Sequence, residues 1–134
     1  MPRIVGTLAW CLWLATVATA DTAAWTPDAW TKLDTLELVT QDPGEDAYAF
    51  PVWLAVLDGQ VYVRLGGRAA GRVQRNADAP YIGVKIGGTR FPRVRCEPAP
   101  DQAARVAGAL ADKYRSDVLV RHVWHPLTCR LVPE

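Results

Sequence analysis

The sequence feature that most restricts the fold is a pair of apolar segments on either side of Asp58-Gly59. Residues 52–57 and 60–65 are rich in β-branched and aromatic side chains, which favour extended strands. Asp-Gly is a preferred two-residue hairpin turn because both positions of that turn need a positive φ. The pattern therefore predicts an antiparallel β-hairpin over residues 52–65.

A two-residue turn also fixes which residues lie opposite each other, with Leu57 facing Gln60. One face of the hairpin is then wholly aliphatic and is predicted to point into the core: Val52, Leu54, Val56, Val61, Val63 and Leu65. The other face carries Trp53, Ala55, Gln60, Tyr62 and Arg64, with Trp53 across from Arg64. We expect this second face to be covered by another subunit, a helix or a planar anionic ligand.

Further strands and helices are predicted along the rest of the chain. Strands are expected over residues 36–40, 81–86, 89–96 and 127–132, helices over 26–33 and 101–114, and a short helix or turn over 118–124. The glycine-rich stretch 66–72 is expected to be a connection. Gly87-Gly88 predicts a second hairpin turn, and a bulge at Pro92 would return Val94 and Cys96 to the core side. These elements predict a mainly β domain with flanking helices, a six-stranded split β-barrel.

The first twenty residues have the pattern of a signal peptide. Arg3 precedes an apolar run over residues 4–18, and Ala18-Thr19-Ala20 is a cleavage pattern that predicts a mature chain starting at Asp21. The run of about fifteen residues is shorter than the roughly twenty that span a bilayer. We therefore expect a periplasmic or secreted protein, with residues 21–134 as one domain and no membrane attachment after cleavage. An uncleaved N-terminal anchor is the alternative.

The charge balance and the few reactive side chains exclude several classes of function. The 15 basic and 14 acidic side chains nearly balance, which argues against nucleic acid as a partner. Between residues 64 and 95 only Asp78 opposes several arginines, which indicates either an anion site or a solvated basic face. Ser116, the only serine, has no histidine beside it, and His122 and His125 lack a third metal ligand. The sequence predicts no metal site and leaves the catalytic residues unknown, with Tyr62 and Tyr81 as possible proton donors.

The two cysteines that would remain after cleavage are Cys96 and Cys129. Both fall on the apolar faces of predicted strands, and disulfides persist in an oxidising compartment. We predict a disulfide between them, the alternative being two buried free thiols on separate strands.

Several segments together resemble a known family. Residues 36–40, the Pro51-Val52-Trp53 segment, the strand 58–64 and Gly71-Arg72-Val73 resemble the split β-barrel of pyridoxamine-phosphate-oxidase-like flavoproteins and their deazaflavin-using relatives. The C-terminal segment 128–133 is further similar to a family of small bacterial proteins assigned to that fold. The resemblance covers nearly all of residues 25–134.

The resemblance implies a homodimer that holds a flavin-type cofactor, FMN or a deazaflavin, at the subunit interface. It also implies that Arg64 and Arg72, with Arg68 nearby, bind the cofactor phosphate, and that Trp53 approaches the ring system. Tyr62 shares the hairpin face of Trp53 and Arg64 and is taken with them as a ligand-binding candidate.

The sequence patterns and the resemblance together lead to two hypotheses about function. The first is a non-catalytic exported module that uses the barrel for binding or dimerisation and takes a flavin or another anionic small molecule. The second is a flavin- or deazaflavin-dependent oxidoreductase, in which the cofactor supplies the redox chemistry.

Overall fold

A computed structural model of the chain describes residues 24–114 and 124–134. The predicted signal peptide lies outside the described residues, as do Ser116, His122 and all of the predicted helix or turn at 118–124 except Trp124. No helix within the described ranges is long and apolar enough to cross a membrane.

The described chain forms six strands and two α-helices, with two short 3-10 helices. The strands are β1 (Thr35–Thr40), β2 (Tyr48–Leu57), β3 (Gln60–Leu65), β4 (Tyr81–Ile86), β5 (Thr89–Pro98) and β6 (Leu127–Pro133). The α-helices are α1 (Gly67–Gln74) and α2 (Ala103–Lys113), and the 3-10 helices are Pro27–Trp30 and Pro100–Gln102. The strands close into an antiparallel barrel in the order β1-β2-β3-β6-β5-β4, which confirms the predicted fold class.

The Asp58-Gly59 turn sets the register of β2 and β3 as the sequence predicts. Both turn residues have positive φ, and the pairs run from Leu57–Gln60 to Leu54–Val63. The ladder ends there, one pair short of the predicted Trp53–Arg64 pair. Beyond that point β2 continues along β1 as far as Tyr48, and β3 continues along β6. The two strands of the hairpin thus end up paired with different neighbours.

The aliphatic face of this hairpin points into the barrel. Leu54, Val61, Val63 and Leu65 are fully buried, while Val52 and Val56 are half-buried and pack against the core. Side chains from the other strands complete the interior: Leu36, Leu38, Ile82, Val84, Ile86, Val94 and Leu131. Burial of this aliphatic set in a close-packed interior is the main stabilising contribution to the barrel.

The predicted bulge lies in β5. Ile82 pairs with Val94 and Val84 pairs with Phe91, so two residues along β4 match three along β5. The extra residue falls at Pro92-Arg93. Because a bulge shifts the alternation by one residue, Val94 and Cys96 face the core and are buried.

The glycine-rich connection expected over residues 66–72 is instead the N-cap and most of helix α1. Its glycines disfavour a helix, but Ala70 and Val73 are buried in the barrel core. The Ala70 amide donates a hydrogen bond to the Gly66 carbonyl. Tertiary packing at this end of the barrel therefore overrides local propensity.

The two ends of the barrel are closed by different elements. Helix α1 follows β3 and closes one end with Ala70 and Val73. At the end where β1 begins, Trp25, Trp30 and Phe91 pack edge to face, with ring centroids 4.9–5.8 Å apart. Such T-shaped contacts are the favoured geometry for aromatic pairs.

The second face of the hairpin is covered by a helix of the same chain. Ala55 and Tyr62 are buried against Val106, Leu110 and Tyr114, the last three contributed by α2 and its C-cap. Another subunit, a helix or a planar anionic ligand was expected to cover this face. For Ala55 and Tyr62 the covering is helix α2, so no second subunit is needed to bury them. Dimerisation stays a prediction.

Cys96 and Cys129 lie on neighbouring strands. Cys96 pairs with Leu131, and Cys129 pairs with Pro98, so the two cysteines are diagonal neighbours on β5 and β6. Both are buried free thiols. A hydrogen bond from one thiol to the other, together with burial, raises the pKa of Cys96 far above its usual range. The disulfide stays a prediction that this proximity allows.

Candidate functional site

A cavity opens where the β2–β3 ladder stops, and we call it the β2–β3 cavity. Its volume is about 350 Å³. One wall is the part of β2 that pairs with β1, and the facing wall is the end of β3 with the start of α1. It is lined by Thr35, Phe50, Pro51, Val52, Trp53, Arg64, Leu65, Gly66, Ala69, Leu110 and His125. Pro51 lacks an N–H and cannot donate to a sheet ladder, which suits a place where strand pairing ends.

Trp53 is held in the wall of the β2–β3 cavity by a stack on Tyr114. The ring centroids are 4.3 Å apart and the planes differ by 3°. The Tyr114 hydroxyl donates its one proton to the Asp34 carbonyl and lies 3.4 Å from the Leu54 carbonyl, and burial raises the pKa of Tyr114. Tyr114 thus ties α2 to the chain before β1 and to β2, and it presents Trp53 to the cavity in a fixed orientation.

Arg64 and the start of α1 bring positive charge to the facing wall. Arg64 is half-buried, and Gly66, the residue before α1, also lines the cavity. The N-terminus of α1 has no side-chain cap, so its first amide protons are not satisfied by a capping side chain. A guanidinium beside a helix N-terminus favours an anionic group at this wall.

His125 is a site residue that the sequence reasoning missed, because it was weighed only as a metal ligand. It is half-buried and lines the cavity together with Arg64. Its place follows from the β3–β6 ladder, in which Arg64 pairs with Thr128, three residues further on. Only this long-range pairing could have revealed it. No cluster of three or more metal-ligating side chains occurs among the residues that the structure describes.

The other predicted site residues lie outside the cavity lining. Arg68 is exposed in the first turn of α1, and Arg72, one turn later, lies 4.3 Å above the Tyr48 ring. Tyr62 is buried beneath α2. Of the five predicted residues, Trp53 and Arg64 are therefore the two that meet at the cavity.

The comparisons with known proteins bear on the fold. No family model matches the chain, and no curated protein does. A solved structure that does match is the crystal structure of a FAD-binding protein from Mesorhizobium loti, with a TM-score of 0.55 and 18% sequence identity. The match covers 80% of this chain and 86% of that chain. Similarity at this level shows a shared barrel fold.

Proposed function

We propose that this protein binds a flavin-type ligand, FMN or a deazaflavin, in the β2–β3 cavity. The observation that carries the proposal is the meeting of a fixed indole, Trp53, and a guanidinium, Arg64, across one cavity. A flavin combines a planar ring system with an anionic phosphate tail, and these two groups are what such walls recognise. The fold shared with a FAD-binding protein supports the same ligand class.

The residues present fit the two parts of such a ligand. Trp53, Val52 and Leu65 offer aromatic and aliphatic surface to a ring system. Arg64 and the amide groups at the start of α1 offer charge and hydrogen bonds to a phosphate. Arg68 and Arg72 add positive charge further along α1, which bears no acidic residue. The cavity volume lies within the usual range for small-molecule sites.

We also propose that the chain belongs to the split-barrel flavoprotein superfamily. It is supported by the six-stranded topology, by the segments that resemble that family, and by the fold shared with the Mesorhizobium loti protein. The role that we propose is a binding module.

A flavin-dependent oxidoreductase is the second candidate, and His125 favours it. An imidazole is the side chain whose unperturbed pKa is closest to neutral pH, so His125 is suited to hold or move a proton at the cavity. In that case the bound flavin would supply the electron chemistry.

Export and dimerisation complete the proposal. Export is supported by the signal-peptide pattern of residues 1–20, and N-terminal sequencing of protein from the periplasm or medium should start at Asp21.

Dimerisation is supported by two large exposed aromatic side chains, Tyr48 and Trp124, which are 51% and 74% exposed. Light scattering should give a dimer, and Tyr48→Ser should weaken it; a monomer at all concentrations would contradict this part.

The ligand proposal is tested by titrating the purified protein with FMN and with riboflavin, following quenching of flavin fluorescence. Arg64→Ala should weaken FMN binding by about 1.5–3 kcal/mol, because a charge-assisted hydrogen bond is lost. It should leave riboflavin, which has no phosphate, nearly unchanged. Arg90→Ala removes the same charge from a position outside the cavity lining and serves as the matched control.

The outcomes separate the two candidates. Absence of FMN and deazaflavin binding would overturn the proposal, and equal loss of FMN and riboflavin affinity in Arg64→Ala would overturn the assigned role of Arg64. For the oxidoreductase, His125→Gln should slow the reduction of an added acceptor without changing FMN affinity. Bound flavin with no turnover favours the binding module.

A further inference from the structure

A second cavity lies beside the β2–β3 cavity, and we call it the proline cavity. Its volume is about 270 Å³, and it is lined by Pro98, Pro100, Ala103, His125, Pro126, Leu127 and Thr128. These residues come from the end of β5, the second 3-10 helix, the start of α2 and the segment that leads into β6. Of this lining, only His125 belongs to the candidate site described above.

Strand pairing places the proline cavity next to the β2–β3 cavity. Arg64, which lines the β2–β3 cavity, pairs directly with Thr128, which lines the proline cavity. Leu65 and Leu127 form the next pair, again with one residue in each cavity. Directly paired residues of an antiparallel ladder have Cβ atoms only about 5 Å apart. Since His125 lines both cavities, the two share a border at His125 and the Arg64–Thr128 pair.

Helix α2 runs along both cavities. Ala103, its first residue, lines the proline cavity, and Leu110, seven residues later, lines the β2–β3 cavity. Seven residues of α-helix correspond to about 10 Å along the axis. A ligand that fills both cavities is therefore elongated, with one group in each cavity and a linker between them.

The two cavities differ in charge. Positive charge at the β2–β3 cavity comes from Arg64 and the start of α1, whereas no lysine or arginine lines the proline cavity. Three of the seven residues that line the proline cavity are prolines, whose rings are apolar and whose nitrogens donate no hydrogen bond. The Arg64 guanidinium thus belongs to the border between the cavities, and the proline cavity beyond it suits an uncharged ring system.

The walls of the proline cavity are held by the backbone before a ligand binds. The β5–β6 ladder ends with the pair Pro98–Cys129. Directly after it, the Ala99 amide donates a hydrogen bond to the Thr128 carbonyl at 2.8 Å, and both residues are buried. Because the prolines also have a fixed φ, little conformational freedom is lost when a ring enters.

We infer that the ligand of the flavin site is a flavin dinucleotide, whose second ring system, adenine, occupies the proline cavity. The inference rests on the proposed function. A flavin dinucleotide has the order ring system, pyrophosphate, ring system. The protein offers a matching order: the surface around Trp53, the guanidinium of Arg64 at the border, and then the proline cavity. FMN ends at its phosphate and would leave the proline cavity unused.

The lining also selects against a flavin-type ligand with an acidic tail. A chain of carboxylates beyond the phosphate would need cations along its path, and the proline cavity offers no lysine or arginine. Adenine is uncharged near neutral pH and gains from apolar walls. Of the ligands that share a flavin-type ring and a phosphate, the dinucleotide is therefore the one that uses both cavities.

Calorimetric titration of the full chain with FMN and with FAD tests the inference. We expect FAD to bind at least about tenfold more tightly than FMN, because only FAD places a ring in the proline cavity. Binding of FMN or a deazaflavin with no gain for FAD would overturn the inference and leave the flavin proposal standing. Binding of none of the three would overturn both.

A matched pair of variants tests where the adenine lies. Ala103→Leu fills part of the proline cavity with a good helix former, and it should lower FAD affinity about tenfold while leaving FMN affinity unchanged. Ala104→Leu adds the same side chain at the next, exposed position, outside both cavities, and should change neither affinity. Unchanged FAD affinity in Ala103→Leu, or an equal loss in Ala104→Leu, would overturn the placement. If Ala103→Leu does not fold, the comparison of FMN with FAD on the unaltered protein still decides the inference.

Discussion

The two hairpins of the barrel start alike and end differently. Both have a two-residue turn with positive φ at each position, Asp58-Gly59 in one and Gly87-Gly88 in the other. The β4–β5 hairpin stays paired from Ile86–Thr89 to Tyr81–Arg95 by taking up a bulge. The β2–β3 hairpin has four pairs and then stops.

The difference shows how a closed barrel can hold a lateral cavity. In β4–β5 the irregularity is absorbed within the ladder, and Val94 and Cys96 stay in the core. In β2–β3 the ladder ends, and beyond it β2 is paired only with β1 and β3 only with β6, so that the space between them is lined by Trp53 and Arg64. We use seam for the line along which two neighbouring strands meet. Four predictions test the difference between seams that stay paired and the β2–β3 seam, where pairing ends at a cavity.

The largest effect is expected from a disulfide between Cys96 and Cys129 across the paired β5–β6 seam. Refolding under oxidising conditions should stabilise the protein by about 3–4 kcal/mol over the reduced form, on the chain-entropy account. Urea unfolding and a thiol count measure this, with Cys96→Ser as the control. FMN affinity should stay the same. Two free thiols after oxidative refolding would contradict the pairing.

A leucine truncation at the last β2–β3 pair compares with one in a paired seam. Leu54→Ala and Leu131→Ala each remove a fully buried side chain and should each cost about 3 kcal/mol in denaturant unfolding. Only Leu54→Ala should also weaken FMN binding, because Leu54 is adjacent to Trp53 at the edge of the β2–β3 cavity. Equal loss of FMN affinity in both variants would show that the two seams do not differ in this respect.

The Gly87-Gly88 turn should be sensitive at one position and tolerant at the other. A Cβ at Gly87 would lie 2.9 Å from Nε1 of Trp30, whereas one at Gly88 would meet nothing within 4 Å. Since both positions have positive φ, Gly88→Ala should cost about 1 kcal/mol and Gly87→Ala about 2 kcal/mol. Thermal unfolding measures both. Equal shifts would mean that Trp30 moves aside without cost.

The smallest effect is expected from Glu97, on the outside of the β5–β6 seam. Arg130, 2.6 Å away, lowers the pKa of Glu97, with Arg95 adding to the effect. A carboxyl with a lowered folded-state pKa adds stability above its ordinary pKa of 4.5, and that stability is lost as the pH falls through the lowered value. Acid unfolding of Glu97→Gln should therefore show a slightly weaker pH dependence below pH ~4.5. An unchanged acid profile would contradict this contribution.

Local patterns predicted the barrel because its strands and turns are encoded at short range. The register of Leu57 with Gln60 follows from a dipeptide, and the bulge at Pro92 follows from the alternation of buried residues in β5. The absence of the Trp53–Arg64 pair could not be predicted, because it depends on the long-range pairing of β2 with β1 and of β3 with β6, which the hairpin segment does not encode.

The candidate site was accessible to sequence reasoning only in part. Trp53 and Arg64 flank a recognisable hairpin, so their proximity could be inferred. His125 reaches them through strand pairing with a segment more than sixty residues away from Arg64 in the chain. Helix α1 forms although its glycines disfavour a helix, because Ala70 and Val73 pack in the barrel core. Local helix propensity carries no information about that packing.

The closure of both barrel ends restricts the route by which a ligand can reach the interior. Trp25, Trp30 and Phe91 occupy one end, and α1 occupies the other. Axial passage would require displacement of an aromatic cluster or of a packed helix. Exchange at the β2–β3 cavity would instead proceed sideways through the wall, so its rate should follow local fluctuations of Trp53 and Arg64 rather than opening of the whole barrel.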